Sequence, residues 1–317
     1  MPNIDTFTNQ IICGDAIEEM AGMPEKSVDL IATDPPYNIG KAAWDKIDNY
    51  LGWCGEWITE CQRVLKDNGS FYFFHNDMPT IAKLMGWIEQ NTGFVFKQMV
   101  TWCKISPRFG NHGFVQQRLS NGMMRNYYDG FTEYCLFYTF EKVIKEYLRA
   151  EKEKAYRAGH TDKSLRSLCG VSLKGGGLLC HYWGDAQWSL PTAEMYVKLQ
   201  TTGYFQRPYE ELRYTFNMTR VLSDLYGNSN TWVYAPETNA QHPTQKPEPL
   251  IANIIKHSSN EGDIILDPFG GSGTTAVVAD KLNRQYVVID NNAKYCGIAC
   301  QRIADAQAQP DLLAAGD

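Results

Sequence analysis

Two short stretches of the chain carry residue types that do chemistry in company. The first is Asp34-Pro35-Pro36-Tyr37. Two consecutive prolines neither donate to a sheet ladder nor sit in a helix interior, so the chain there is a stiff extended loop. That loop offers a carboxylate, prolyl carbonyls that no local amide is placed to claim, and a phenol ring. Such groups suit a planar amine, with acceptors for its two N–H groups and an aromatic face for its ring. The second stretch is Asp267-Pro268-Phe269-Gly270-Gly271-Ser272-Gly273-Thr274-Thr275. Bare backbone lets a ligand approach closely, and free N–H groups at a helix N-terminus accept its negative end. Further on, Asp290 is placed to take two ribose hydroxyls. The turn lacks the lysine of a triphosphate-binding loop, and Gly271-x-Gly273-x-x-Ala276 matches a dinucleotide fingerprint only weakly. A rigid surface turn and a ligand-free strand-to-helix turn are the plain alternatives.

The flanking sequence supplies elements to position both. Gln10–Cys13, Val28–Thr33, Ser70–Phe74, Phe94–Trp102, Glu133–Thr139, Ile264–Leu266 and Tyr286–Ile289 are rich in Val, Ile and aromatics and read as strands. Asn49–Leu65, Pro79–Gln90, Leu250–His257, Thr274–Leu282 and Ala293–Ala304 have apolar residues at helical spacing. Near-continuous apolar strands alternating with helices predict an α/β fold, a parallel sheet covered on both faces. Asp34 and Asp267 each end a strand, and ligands of open α/β sheets bind at the carboxyl ends of strands. The middle of the chain differs. Val143–Arg157 is a charged amphipathic helix, Thr161 caps a second helix that stops near Gly170, and Pro191–Leu199 makes another. This order of short helices and a turn fits a helix-turn-helix module, although Gly175-Gly176-Gly177 sits where its recognition helix would run. Trp183, Trp188, Tyr196, Leu199 and Tyr204 are expected as the core of this module.

The 317 residues carry 30 basic and 36 acidic side chains, unevenly spread. Residues 97–224 hold 18 basic and 12 acidic groups, whereas the remainder holds 12 and 24. A basic middle between acidic ends predicts one face for a polyanion. Residues 104–128 mix Lys104, Arg108, Arg118 and Arg125 with Phe109, Phe114, Tyr127 and Tyr128. That mixture suits phosphate contacts with aromatic insertion. The nine cysteines have no C-x-x-C pair, which predicts reduced thiols in a cytosolic protein and no metal centre. No apolar run approaches a membrane span, and the N-terminus has no signal-peptide pattern.

Together, the two chemical stretches and their strands resemble the β group of amino-directed DNA methyltransferases, in which the Asp-Pro-Pro-Tyr motif precedes the glycine-rich cofactor motif. Gly14-Asp15 resembles the family contact to the cofactor adenine. His242-Pro243-Thr244-Gln245-Lys246-Pro247 resembles the segment closing over the methionine end, and Trp102-x-Lys104-x-x-Pro107 and Glu133-Tyr134 match weaker family positions. The likeness covers residues 9–140 and 231–305. Asp290 departs from it, since a Glu is commoner there.

The resemblance implies a doubly wound, mostly parallel, seven-stranded Rossmann-like sheet with circularly permuted motif order and a helical insertion. It divides the chain into catalytic residues 1–140, a target-recognition insertion at 141–230, cofactor-binding residues 231–305 and a flexible tail at 306–317. Asp34, Pro35, Pro36 and Tyr37 would be catalytic. S-adenosylmethionine would contact Asp15, Asp34, Thr244, Lys246, Asp267, Phe269, Gly271, Ser272, Gly273, Thr274, Asp290 and Asn291. Double-stranded DNA would contact Lys104, Arg108, Arg118, Arg125 and Lys174. The acceptor would be the N6 of a flipped adenine, with cytosine N4 the alternative. A homodimer, a cognate restriction nuclease and a cytoplasmic location in a bacterium or phage complete the expectation. Two rival readings are a nicotinamide-dependent oxidoreductase and a non-catalytic DNA-binding protein; the first leaves Asp34-Pro35-Pro36-Tyr37 and the basic middle without a purpose.

Overall fold

Strand β2 (Val28–Thr33) is buried along its whole length, as expected of a central strand covered on both faces. The computed structural model describes residues 3–40, 45–104, 132–140, 142–171, 180–184, 189–215, 229–237 and 245–308. The other strands are β1 (Gln10–Cys13), β3 (Leu65–His75), β4 (Val95–Cys103), β5 (Thr132–Thr139), β6 (Thr231–Val233), β7 (Ile264–Asp267) and β8 (Gln285–Asp290). They form one sheet in the order β1-β8-β7-β2-β3-β5-β4-β6. Strand β5 runs antiparallel to both neighbours and all other pairings are parallel. Among the described residues the expected seven strands are therefore eight. The extra one, β6, is only three residues long, too short for a periodicity signal, and it pairs through Thr231–Val233 with Thr101–Cys103 at the sheet edge.

Alternation along β3 shows how the sheet is covered. Phe71 and Phe73 meet Trp57 of helix α2 (Tyr50–Val64), while Tyr72 and Phe74 join a core cluster with Leu250, Ile251 and Ile254. Helices α1 (Ala16–Ala21) and α3 (Met78–Asn91) flank α2. The opposite layer is α9 (Glu248–Ser258), α10 (Thr274–Lys281) and α11 (Ala293–Ala308), numbered after the five helices of the second unit below. Helix α11 outlasts its expected end at Ala304. Gln301 bonds Asp305 one turn on, and Gln307 bonds Asp280 of α10, which keeps the last turn wound.

The connections leave the middle of the sheet in opposite directions. From β2 the chain passes through α2 to β3, and from β7 it passes through α10 to β8 on the other side. Strands β2 and β7 are adjacent and parallel, with Leu30 opposite Ile265 and Ile31 opposite Leu266. Their carboxyl ends thus form the topological switch point.

Residues 140–221 form a second compact unit, and residues 1–139 with 222–317 form the first. The second unit contains α4 (Lys142–Arg157), α5 (Asp162–Cys169), α6 (Cys180–Trp183), α7 (Ala193–Gln200) and α8 (Tyr209–Thr215). Thr161 and Ser164 make a reciprocal capping box at the start of α5, and Gly170 closes it in the left-handed region. Leu148, Leu165, Tyr196, Leu199, Phe205 and Leu212 make its core, and Trp183 is buried with them as expected. Tyr204 packs against that core partly buried; Trp188 lies outside the described residues. Gly175, Gly176 and Gly177, the segment on which the helix-turn-helix reading depends, also lie outside them. Among the described residues, no helix is long and apolar enough to cross a membrane.

Candidate active site

The loop after β2 is held by side chains from several directions. Asp45 accepts the Asn38 amide at 2.6 Å and the Ile39 amide at 3.1 Å. Asn38, in the left-handed region, exchanges two hydrogen bonds with the Ile47 backbone. Tyr50 donates its hydroxyl proton to the Pro36 carbonyl at 2.6 Å. Behind Tyr50 stands His75, buried at the end of β3. Its Nδ1 accepts the Asp77 amide at 3.0 Å, so the neutral ring carries its proton on Nε2, 3.2 Å from the Tyr50 oxygen. Burial pushes the His75 pKa down to about 4 against the pull of Asp77, Asp45 and Glu133. The ring therefore stays neutral and can serve as this donor at ordinary pH. His75 also stacks on Tyr37, with ring centroids 4.8 Å apart.

Deeper in, charges gather. Tyr37 donates to Asp34 Oδ1 at 2.5 Å and lies 3.3 Å from Glu133 Oε2. Lys246, 5% exposed, bonds Asp34 Oδ2 and sits 3.2 Å from Glu133 Oε2. Glu133 in turn pairs through Oε1 with Lys104. Burial works against the Glu133 carboxylate, but Lys246 and Lys104 outweigh it and hold its pKa below the usual range. Burial likewise opposes the Lys246 ammonium, and Asp34 and Glu133 more than offset that, raising its pKa.

The glycine turn is built differently. A Cβ on Gly270 would lie 2.0 Å from Val288 Cγ1, and one on Gly273, whose φ is +77°, would lie 2.6 Å from Ala299 Cβ. These two glycines are required by close packing of the turn against β8 and α11. The expectation of free amides needs correcting. Gly270 donates to Ile289 O, Gly271 to Asp290 Oδ2 and Gly273 to Gly270 O, so these N–H groups are spent within the fold. Asp290 also accepts the Asn292 amide at 2.8 Å. Arg302 bonds the Ser272 carbonyl and the Thr274 hydroxyl, and Ser272 bonds Gln245. Asp267 joins the two corners: it accepts the Thr33 hydroxyl at 2.8 Å, the Thr275 hydroxyl at 2.6 Å and the Phe269 amide at 3.2 Å. Burial pushes its pKa up to about 6, and the two hydroxyls and that amide pull the other way.

Both corners open on one cleft. Its carboxylates are Asp15, Asp34, Asp45 and Asp290, and its rings include Tyr37, Trp53, Phe269 and Tyr295; Gly271 and Asn291 also line it. No lysine or arginine is among its described lining residues. Phe269 is wedged against Trp53 and Trp57, each 5.4 Å away. Asp15 caps α1 through Oδ1, which accepts the Ile17 and Glu18 amides. A smaller recess beside the cleft is lined by Asp34, Lys246, Asp267, Phe269, Gly271, Ser272 and Thr274. This donor set fits a ligand that is cationic and aromatic, as a sulfonium nucleoside is, and it does not suit the doubly anionic pyrophosphate of a nicotinamide dinucleotide.

Of the residues singled out from sequence, Asp15, Asp34, Pro35, Pro36, Tyr37, Lys246, Asp267, Phe269, Gly271, Ser272, Thr274, Asp290 and Asn291 all line the cleft or its recess. Gly273 sits behind the turn against α11. Lys104, expected on DNA phosphate, is instead paired with Glu133 beside Lys246. Thr244, Arg108, Arg118, Arg125 and Lys174 lie outside the described residues. Sequence reasoning missed Tyr50, His75, Trp53 and Asp45. One signal was available: an acid such as Glu133 within the apolar strand Thr132–Thr139 must have a buried cation opposite it.

Comparison with known proteins gives the same placement. The sequence matches the family described as DNA methylase, of the N6/N4 class, over residues 28–301. The DNA adenine methyltransferase YhdJ of Escherichia coli (strain K12) is 31% identical over 301 residues, covering 92% of this chain and 82% of its own. The type II methyltransferase M.HpaI of Haemophilus parainfluenzae is 29% identical over 315 residues, covering 93% and 74%. Among solved structures, the cytosine-N4-specific PvuII DNA methyltransferase superposes with a TM-score of 0.57 at 16% identity, covering 94% of this chain and 90% of its own. A complex of M1.HpyAVI with SAM does so with a TM-score of 0.50 at 23% identity, covering 92% and 98%. With the Asp34 loop and the glycine turn meeting at one switch point, the chain belongs to the N6/N4, amino-directed DNA methylase family.

Proposed function

We propose that this protein transfers a methyl group from S-adenosylmethionine to the exocyclic N6 of an adenine turned out of DNA. The observation that carries the reading is one cleft lined by Asp34 and Tyr37 on one side and by Phe269, Gly271 and Asp290 on the other, its charged groups among the described residues being carboxylates. Asp290, Asp15, Phe269 and Asn291 would hold the cofactor's nucleoside. Bound there, S-adenosylmethionine supplies an electrophilic methyl group on a sulfonium.

The chain's own residues do the rest by positioning and electrostatics. Unstacking the base costs a few kcal/mol, which stacking on the Tyr37 ring in part offsets. An Asp34 oxygen and the Pro35 carbonyl accept the two amine hydrogens. This turns the amine lone pair toward the cleft and makes the nitrogen a better nucleophile. Tyr50, held by His75, fixes the Pro36 carbonyl and with it the loop. The preference for adenine rests on Asp34 leading Pro-Pro-Tyr, since the cytosine-N4 members of the family more often resemble Ser-Pro-Pro-Tyr, and on a relative named as an adenine methyltransferase.

In the same reading the basic middle meets DNA, with Arg108, Arg118, Arg125 and Lys174 on phosphate. The helical unit at residues 140–221 selects the target sequence. A cognate nuclease and a second copy of the chain are the further partners that this reading admits. The test is to methylate DNA, digest it to nucleosides and weigh them. N6-methyldeoxyadenosine is expected, and N4-methyldeoxycytidine in its place would move the assignment to cytosine. Exchanging residues 140–221 for those of another family member should change the methylated sequence; an unchanged sequence would remove the recognition role.

A further inference from the structure

Lys246 was expected at the methionine end of the cofactor, yet its ammonium is turned to the catalytic corner. It bonds Asp34 Oδ2 and lies 3.2 Å from Glu133 Oε2 and 3.4 Å from the Tyr37 hydroxyl. An ammonium has three protons, and here three acceptors face it. The rings of Phe74 and Trp102 stand 5.2 and 5.7 Å from it. Glu133 is itself seated by Lys104, which lies 5.1 Å from the Trp102 ring centre. The result is a set of two carboxylates and two ammoniums, Glu133 and Lys246 buried and Asp34 and Lys104 partly exposed, drawn from β5, the segment before α9, the Asp34 loop and the residue after β4.

We propose that Lys246 is a positioning residue for methyl transfer, fixing Asp34 by its Oδ2 so that Oδ1 is the oxygen presented to the target amine, with Glu133 holding Lys246 in place. This rests on the reading of Asp34 as the amine acceptor. The two Asp34 oxygens differ in how readily they give up their present partners. Oδ1 holds a neutral phenol hydroxyl that has a second acceptor, Glu133 Oε2, only 3.3 Å away. When the amine arrives, Tyr37 can turn its proton to Glu133 without leaving a buried group unpaired. Oδ2 holds a buried ammonium, and breaking that pair would leave the Asp34 carboxylate without its cation. Oδ1 therefore exchanges and Oδ2 stays. A carboxylate pinned at one oxygen has one plane and one free edge, which is what an in-line transfer needs.

Removing the ammonium has a consequence that a cofactor ligand would not share. Glu133 loses one of the two ammoniums that hold its pKa down, leaving Lys104, and it takes up a proton at higher pH. Among the described residues, the other titratable groups facing this corner are Tyr37, Tyr50, Asp45, His75, Cys135 and Asp267, and none of these supplies a cation.

The test is single-turnover transfer to DNA across pH, with S-adenosylhomocysteine affinity measured alongside, for wild type, Lys246→Met and the double variant Lys246→Met/Glu133→Gln. Lys246→Met is expected to slow transfer by about 100-fold near neutral pH, with affinity changed less than about threefold, and to move the acid limb of the profile upward by about one pH unit or more. The double variant, which removes the surplus carboxylate, should recover about tenfold of the loss and return the limb toward its wild-type position. Affinity falling in step with rate would make Lys246 a cofactor ligand and overturn the proposal, as would an unmoved limb. If Lys246→Met does not fold, Lys246→Arg reads the same claim: slower transfer with the limb in place is expected, and a shifted limb would overturn it. A wild-type protein that transfers nothing to DNA would remove the underlying reading instead, so the two failures are distinguishable.

Discussion

The two corners of the cleft reach rigidity by different means. The glycine turn is held by its own backbone, pressed so close to β8 and α11 that Val288 and Ala299 leave no room for a methyl group at Gly270 or Gly273. The Asp34 loop is held by side chains that converge from α2, β3, β5 and the segment before α9: Tyr50, His75, Glu133 and Lys246. A turn fixed by backbone packing fails in stability when it is perturbed. A loop fixed by side-chain bonds can lose a bond and keep its fold while losing the accuracy that transfer requires.

That contrast is open to breaking. The largest loss of stability should follow Gly270→Ala, which forces a methyl to 2.0 Å from Val288 Cγ1 and should lower unfolding free energy by about 3 kcal/mol or more in urea titration. Unchanged stability would mean that the turn is softer than its packing implies. Asp267, bonded to both corners, gives a pH-dependent version of the same test. Burial raises its pKa from 3.8 to about 6, so the folded chain binds this proton more tightly than the unfolded chain does. Its contribution to stability is fully present below pH 3.8 and is lost as pH rises through 6. Asp267→Asn lacks that slope, and wild type should lose about 2–3 kcal/mol relative to the variant between pH 4 and 6.5. Parallel stability curves would place the Asp267 proton elsewhere. The smallest effect belongs to Tyr50→Phe, which removes the bond to the Pro36 carbonyl. It should cost about 1 kcal/mol in stability and slow transfer by about tenfold with cofactor affinity intact. A larger loss of stability than of rate would reverse the distinction between the corners.

The same difference explains what could be read from the chain alone. Apolar runs such as Val28–Thr33 and Ile264–Leu266, each ending at a motif, carry their meaning locally, and so Asp34 and Asp267 could each be placed at a strand's carboxyl end from sequence, while the pairing of β2 with β7 that makes them neighbours is a long-range fact of the fold. The glycines were legible as a turn, but their reason was not, because Val288 and Ala299 have no spacing relation to them. The bonds that seat the Asp34 loop were less legible still. Lys246 lies 212 residues from Asp34 and Glu133 lies 96 from Tyr37, and nothing periodic links such partners. Lys104 shows the hazard in the other direction. A lysine in a basic, aromatic stretch reads as a phosphate contact, whereas a buried Glu133 has claimed it. Strand β6 escaped notice because three residues at a sheet edge are too few to show alternation.

The central claim is that Asp34 acts on the acceptor amine and not on the fold or the cofactor. It is tested most directly by loading wild type and Asp34→Ala with S-adenosylmethionine carrying a labelled methyl group and following a single turnover onto DNA. Transfer should fall by about 1000-fold or more in the variant while S-adenosylhomocysteine binds both proteins equally. Transfer that proceeds undiminished without the Asp34 carboxylate, or cofactor binding that disappears along with it, would contradict the account.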